Sequence, residues 1–512
     1  MKIKLYQYCL VFAGMFMITT SCNDNFLQVT PIAKNFEIDY YKTADQVFNG
    51  LTAVYSCLGT ETGYGQNWYC NKLGPLNCAS DECYAGGGGA TDMNSWQVWN
   101  TYTLSSATGP QLAFWNLDYA GIYRANLLLQ KLDASTISDL TPELKSRYVA
   151  ESKALRAYFY FELVRLFKNI PLLTTPVTPS EMYSVVQAKP EEVYAQIEKD
   201  LNEAIANLPT VVSSNENGRI TKGAAMAMLG KAIIYQNNES RMAEAASWLN
   251  KVNTSGVYSL LSNYGDIFDP ANKFNSESIF EICHSGSQKL GWSSSFMYGN
   301  VYVTMVGPRS YAAGSVASDA KHTYISGWSF NPVIKSFATA IHNDPRYKYT
   351  IADLDSLVTI HQGSYDGNAG YQNTGLFIQK YAPLAKWKST DGDPALNFPN
   401  DVIEIRLADT YLLEAEASVR ANGGSVTTRA QNLLDAVRAR VGLTSKTATL
   451  DNIYEERKLE LATEGHRWFD LVRTGKAATV LAFKGFKAGK NEILPIPMEE
   501  MNNTKLVQNP NY

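Results

Sequence analysis

The sequence predicts a mainly α protein: a scaffold of tetratricopeptide-like helical pairs carrying long, irregular, aromatic-rich loop insertions. Three observations predict it. Apolar residues recur every four positions at Leu155, Phe159, Leu163 and Phe167, at Val193, Ile197, Leu201 and Ile205, and at Ile403, Leu407, Tyr411, Ala415 and Val419. That is the period of a helix with one buried face. The stretch "AAMAMLGKAIIYQNNESRMAEAASWLNKV" reads as two helices joined by a short polar turn, in which small Gly230 and Ala246 let the backbones approach. Residues 57–115, 283–331 and 361–400 lack a helical period and are rich in Gly, Ser, Asn and aromatics, as working loops tend to be.

Taken in order, the chain opens with an address. Lys2 and Lys4 precede an apolar run from Leu10 to Ile18 and the small residues of "TTSC". The run is well short of the ~20 apolar residues of a membrane-spanning helix, so residues 1–21 read as a cleaved lipoprotein signal peptide. The ending resembles a bacterial lipobox, with Thr19 where leucine is usual, and makes Cys22 the lipid-bearing N-terminus. Residues 22–512 then form a single body, with the helical scaffold mainly in 115–255 and 401–475 and ligand-binding insertions mainly in 57–114 and 283–400. Pro171, Pro209 and Gly423 stop the three periodic segments. Cys57, Cys70, Cys78 and Cys83 lie close enough for one or two local disulfides in an oxidising compartment. Zinc is disfavoured, because no C-x-x-C pair or nearby histidine accompanies them.

Composition narrows the function. The formal charge of −4 becomes more negative once Lys2 and Lys4 leave, which excludes a general attraction to nucleic acid. Aromatics make up 12% of the chain, with 31 Tyr and 9 Trp, more than a core demands, and that surplus suggests a binding surface. Catalytic signatures are missing: there is no G-x-S-x-G, H-E-x-x-H or G-x-x-x-x-G-K-[ST], and "TGYGQNW" lacks the third glycine of a dinucleotide loop. A glycosidase with two distant carboxylates remains open on this ground. Adjacent Asp81 and Glu82 point in opposite directions in an extended loop, so they are expected to order structure rather than flank a bond. Asp391 and Asp393 have calcium-like spacing, but the next ligand position is Ala395, so calcium is a weak signal and no cofactor is expected.

The stretch "EGHRWFDLVRTGK" concentrates residue types common in active sites. Glu464, Arg467, Asp470 and Arg473 alternate in sign at helical spacing, with Trp468, Leu471 and Val472 facing inward. Arginine's planar fork binds carboxylates bidentately, so a stabilising network is expected here rather than catalysis.

This stretch, together with "RLADTYLLEAEASVRANGG", "LLDAVRARVGL", "ILPIPMEEMNNTKLVQNPNY", "FWNLDYAGIYRANLLLQKL", "AESKALRAYFYFELVRLFKNIPLL", "EEVYAQIEKDLNEAIANLP" and "GRITKGAAMAML", resembles the SusD/RagB family of outer-membrane nutrient-binding lipoproteins. The resemblance runs from the lipobox to Tyr512. It implies a SusD-like fold with four tetratricopeptide-like pairs, no enzymatic activity, and a surface-exposed position on the outer membrane. It also implies a partner, a SusC-like TonB-dependent outer-membrane transporter, and a cargo that is usually an oligosaccharide and sometimes a peptide.

A sugar offers apolar C–H faces and a rim of hydroxyls, so its site needs exposed aromatic planes beside amides or carboxylates. The insertions supply Tyr64 and Trp68 with Gln66 and Asn67, Trp96 and Trp99 with Asn94 and Gln97, and Trp292 and Tyr298 with Asn300. Trp115, Trp248 and Trp468 sit in helical patterns and are expected in the core, and Trp328 is expected to be structural. The expected function is capture of oligosaccharides for the transporter. Peptide binding and secreted glycoside hydrolysis are the alternatives.

Overall fold

The computed structural model describes residues 40–59, 72–134, 136–287, 289, 291–292, 298–314 and 323–512. Among them the helices of eleven residues or more are α1 (Ala44–Gly59), α2 (Gln111–Ala134), α3 (Pro142–Phe167), α4 (Pro190–Asn207), α5 (Lys222–Tyr235), α6 (Met242–Asn253), α7 (Leu407–Ala421), α8 (Thr428–Arg440) and α9 (Leu450–Glu460). Their starts are written in the sequence. Thr141, Thr221, Thr427 and Thr449 each accept a hydrogen bond from a first-turn amide, and Pro142 and Pro190 occupy the first helical position, where no N–H is needed.

Each helix from α1 to α8 packs on the next, and α9 lies against α7. Close approach depends on glycine at two crossings. A Cβ at Gly121 on α2 would fall 2.4 Å from the Phe159 ring of α3, and one at Gly230 on α5 would fall 2.7 Å from Leu249 of α6 and 3.3 Å from the Ala245 carbonyl. The helical hairpin expected at 222–253 is therefore present, with Ala245 rather than half-buried Ala246 as its small partner. The main core joins α1 to α6, and a second apolar cluster joins α7, α8 and α9.

One periodic segment is only partly helical. Ile403 lies in a strand, β4 (Val402–Arg406), antiparallel to β1 (Ser278–Ile282), and α7 begins only at Leu407. A strand whose residues are nearly all buried, running straight into a helix, blends its apolar residues into the helical period. A second antiparallel pair joins β2 (Ile351–Asp353) to β3 (Leu376–Ile378).

The insertions are less irregular than their composition suggests. Short helices at Leu73–Ala79, Asn94–Asn100 and Val301–Val306 enter a separate apolar core with Phe330, Phe337 and Tyr381, and every residue of Val301–Val306 is buried. Cys57, Cys78 and Cys83 are buried free thiols, so the disulfides expected among them are not formed; Cys70 lies outside the described residues. No helix among the described residues is long and apolar enough to cross a membrane.

Candidate functional site

The 283–331 stretch brings together a pair of tryptophans. Trp292 and Trp328 stack with ring centroids 6.0 Å apart and planes inclined by 28°, and Trp292 keeps 41% of its surface exposed. The indole N–H of Trp292 donates to Asp393 Oδ2 at 2.5 Å. Asp393 is fixed in turn, because its Oδ1 accepts from Ala395 N at 2.9 Å and its carbonyl accepts from Asn397 Nδ2 at 2.6 Å. On the other side, Arg309 Nε donates to the Trp328 carbonyl at 2.9 Å, while Arg309 lies 3.8 Å from Asp92, which accepts from Gly88 N.

Both arms are set from one buried residue. The Thr304 carbonyl accepts from Trp328 N at 3.0 Å, and the Thr304 hydroxyl donates to the Ala395 carbonyl at 3.0 Å. The result is a stacked indole pair, exposed on the Trp292 side, with a carboxylate at its edge and an arginine and second carboxylate nearby. Such a surface can stack on the C–H face of a ring and hydrogen-bond its rim.

The predicted site residues divide sharply. Trp292 and Tyr298 are exposed, Tyr298 at 51%. Tyr64, Trp68 and Cys22 lie outside the described residues. Trp96 and Trp99 are corrections: at 1% and 0% exposure they offer no face to a ligand. Both belong to the helix Asn94–Asn100, whose i, i+3 spacing turns them inward, Trp96 edge-on to Phe330 at 5.3 Å and Trp99 edge-on to Trp468 at 5.3 Å. That spacing was the available signal. Gln97 donates to the Gly86 and Asp92 carbonyls, and buried Asn300 caps Val301–Val306, so both amides hold loops together. Trp328, expected to be structural, forms half of the platform. Asp393 serves there as a tryptophan partner, while Asp391 lies 3.6 Å from exposed Lys289.

The stretch 464–476 forms a buried charge network. Arg473 pairs with Asp470 at 2.8 Å and Glu416 at 2.6 Å; Arg457 joins Asp470 to Asp409; and Arg467 grips Asp81 bidentately at 2.7 and 3.0 Å. Burial would raise the Asp470 carboxyl, but Arg457 and Arg473 overcome it and hold its pKa at about 2. Glu464 contacts Lys380 and Arg406, and Arg406 also reaches Glu277 at 2.9 Å and Glu460 at 2.6 Å. Burial, reinforced by the charge of Lys231, lowers His466 to about 4, so it stays neutral. Trp468 and Leu471 are buried as expected, and Val472 is half-buried. Asp81 and Glu82 do order structure: besides the Arg467 pair, Glu82 Oε2 accepts from Thr463 N.

Comparison with known proteins fits this architecture to a family. Residues 336–512 match the model of the SusD family, and residues 79–234 match one described as starch-binding, associating with the outer membrane. A solved laminarin-binding SusD-like protein is 45% identical, with a TM-score of 0.85 over 92% of this chain and 100% of that one. The chain belongs to the SusD/RagB family. Surface glycan-binding protein A from Bacteroides thetaiotaomicron, solved with laminarihexaose, is 28% identical with a TM-score of 0.81, over 91% of this chain and 99% of that one. SusD-like protein P25 of Formosa agariphila is 26% identical over 97% of this chain and 96% of its own.

Within this SusD-family chain the matched C-terminal region contains α7 to α9 and most of the charge network, whereas Trp292 and Trp328 fall between the two matched regions. The shared elements position the site. The platform sits in the part that neither model describes.

Proposed function

We propose that the protein captures a laminarin-type oligosaccharide on the Trp292–Trp328 platform and delivers it to a SusC-like TonB-dependent outer-membrane transporter, while tethered to the outer membrane through lipid on Cys22 and facing the cell exterior. The carrying observation is exposed Trp292 stacked on half-buried Trp328, with Asp393 at its edge. A ring stacked on it would bury apolar area that the free protein leaves in water, and Asp393, Asp92 and Arg309 would compete with water for the hydroxyls. Support for the cargo comes from the 45% identical laminarin-binding relative and the laminarihexaose complex. The protein acts by binding and release, without bond cleavage. Tyr64, Trp68 and Tyr298 are further candidates for ring contacts.

Affinity electrophoresis in gels containing laminarin or starch tests the reading. The parent protein should be retarded by laminarin, and Trp292→Ala should lose about 2 kcal/mol, roughly 30-fold in affinity, as a central aromatic anchor does. Equal migration of parent and variant in laminarin would remove the platform from the account, and retardation by starch alone would change the cargo. New reducing ends appearing in laminarin incubated with the protein would overturn the non-enzymatic reading. For the tether, Cys22→Ala should shift the protein from the membrane fraction to the soluble fraction and lower laminarin uptake by cells.

A further inference from the structure

A groove of about 620 Å³ lies on the helical scaffold and shares no residue with the tryptophan platform. One wall is the face of α2 that carries Trp115, Tyr119 and Tyr123, spaced four residues apart and therefore aligned along one side of the helix. Trp115 and Tyr119 hold their ring centroids 4.8 Å apart, and the Tyr119 hydroxyl donates to the Pro171 carbonyl at 2.8 Å, which ties α2 to a second wall. That wall is the 171–185 stretch with the turn Met182–Ser184. Glu499, Glu500 and Leu506 of the C-terminal segment complete the lining.

Much of this surface is left in water. Tyr123, Met182 and Tyr183 are 45%, 56% and 59% exposed. Val186 and Val507 carry the apolar surface past the groove: both are exposed, and the Gln187 amide beside Val186 donates to the Val507 carbonyl at 2.6 Å and accepts from Val507 N at 3.1 Å. A small molecule would fill the groove and leave the two valines uncovered. Clustered, exposed apolar side chains of this kind mark a contact with another macromolecule.

Charge narrows the kind of macromolecule. Among the described residues no lysine, arginine or histidine lines the groove, so Glu499 and Glu500 give it an unbalanced negative charge. Burial raises the Glu500 carboxyl above its ordinary value, against the Trp115 indole N–H that donates to it, and the neighbouring Glu499 raises it further; no base enters the balance. Anionic lipid and nucleic acid would be repelled. A cation is favoured twice, by the carboxylates and by the faces of the aromatic rings.

We propose that this groove docks a segment of a second protein in which an arginine or lysine is flanked by apolar side chains. The base would meet Glu499 and Glu500 while its apolar neighbours cover Tyr123, Met182 and Tyr183. The assignment is independent of what the platform binds.

Photo-cross-linking in the producing cells tests it. With p-benzoylphenylalanine in place of Tyr183, irradiation should join the protein to one segment of a second protein, and mass spectrometry of the adduct should read Arg or Lys between apolar residues. Glu499→Gln combined with Glu500→Gln should lower the yield of that adduct about tenfold. The same cross-linker in place of Val211, exposed but outside the groove, should not form it. All three proteins should be retarded in laminarin gels as the parent is; a parent that laminarin does not retard would sink the capture reading and leave the groove untouched. An adduct only with a second copy of this chain, with lipid, or with a segment lacking a base would overturn the proposal. So would an unchanged yield in the double variant, or no adduct at all.

Discussion

Around Arg406, charged side chains are packed out of reach of water; at Trp292, a large apolar ring stands in it. Each region holds a residue type where solvation argues against it, and each resolves the conflict differently. The charges are satisfied internally, Arg406 by Glu277, Glu460 and Glu464, and Arg346 by Asp344, Glu456 and Glu460. The Trp292 indole keeps 41% of its surface in water. Half of an indole's ~200 Å² held in water forgoes about 2 kcal/mol, which a stacking ligand can recover. The contrast separates holding from binding: a closed network stabilises one arrangement, and an open surface keeps free energy in reserve for a partner.

The widest break in that contrast comes from removing one member of each set. Arg406→Ala would leave three carboxylates buried without their shared partner and should cost about 3–5 kcal/mol of stability in thermal or urea unfolding. A near-parental melting curve would mean that the network contributes little. Trp99→Ala should cost a similar ~3–5 kcal/mol through the cavity it opens, whereas Trp292→Ala should change stability by under ~0.5 kcal/mol while weakening laminarin binding. Equal melting losses for the two tryptophan variants would erase the distinction between them.

Acid and base titration sharpen the comparison next. Asp470 has its folded pKa depressed to about 2, so its stabilisation is present above about pH 4 and is lost as pH falls through 2, about 2 kcal/mol in all. Asp470→Asn should therefore be less stable than the parent at neutral pH and should close the gap on acidification. Glu82 behaves oppositely. Burial first and Asp81 second raise it to about 8, against the pull of Arg467, so the folded state holds its proton and stability falls as pH rises through that value. Glu82→Gln, which keeps an acceptor for Thr463 N, should match the parent near pH 5 and melt higher near pH 9. A parental melting curve at both pH values would remove the burial argument. The smallest effect is expected at Lys289→Ala: the pair with Asp391 is mostly exposed, and such pairs are worth roughly 0–1 kcal/mol.

The scaffold was readable because helices announce themselves locally. Leu155, Phe159, Leu163 and Phe167 are all buried on α3, and the alternating signs of 464–473 do become a network. Ile403 shows the limit, since nothing within a few residues reveals that it pairs across to β1. The platform was half legible. Its polar loop marks Trp292 as a candidate, but Trp328 stacks on it from 36 positions away, with Thr304 bonded to Trp328 N and to the Ala395 carbonyl, a relation that no local spacing encodes. Trp96 and Trp99 failed for a different reason: a seven-residue helix is too short to show a period among glycines and polar residues, although the i, i+3 step was there.

Thr304 itself has a consequence for how such proteins diversify. One sealed hydroxyl and one sealed carbonyl hold the backbone at Ala395, next to the Asp393 turn, and at Trp328, so the support that sets the stacked pair is housed in the interior while its working face is outside. New preferences could then arise from quiet substitutions behind the surface, with every side chain that touches the guest left unchanged.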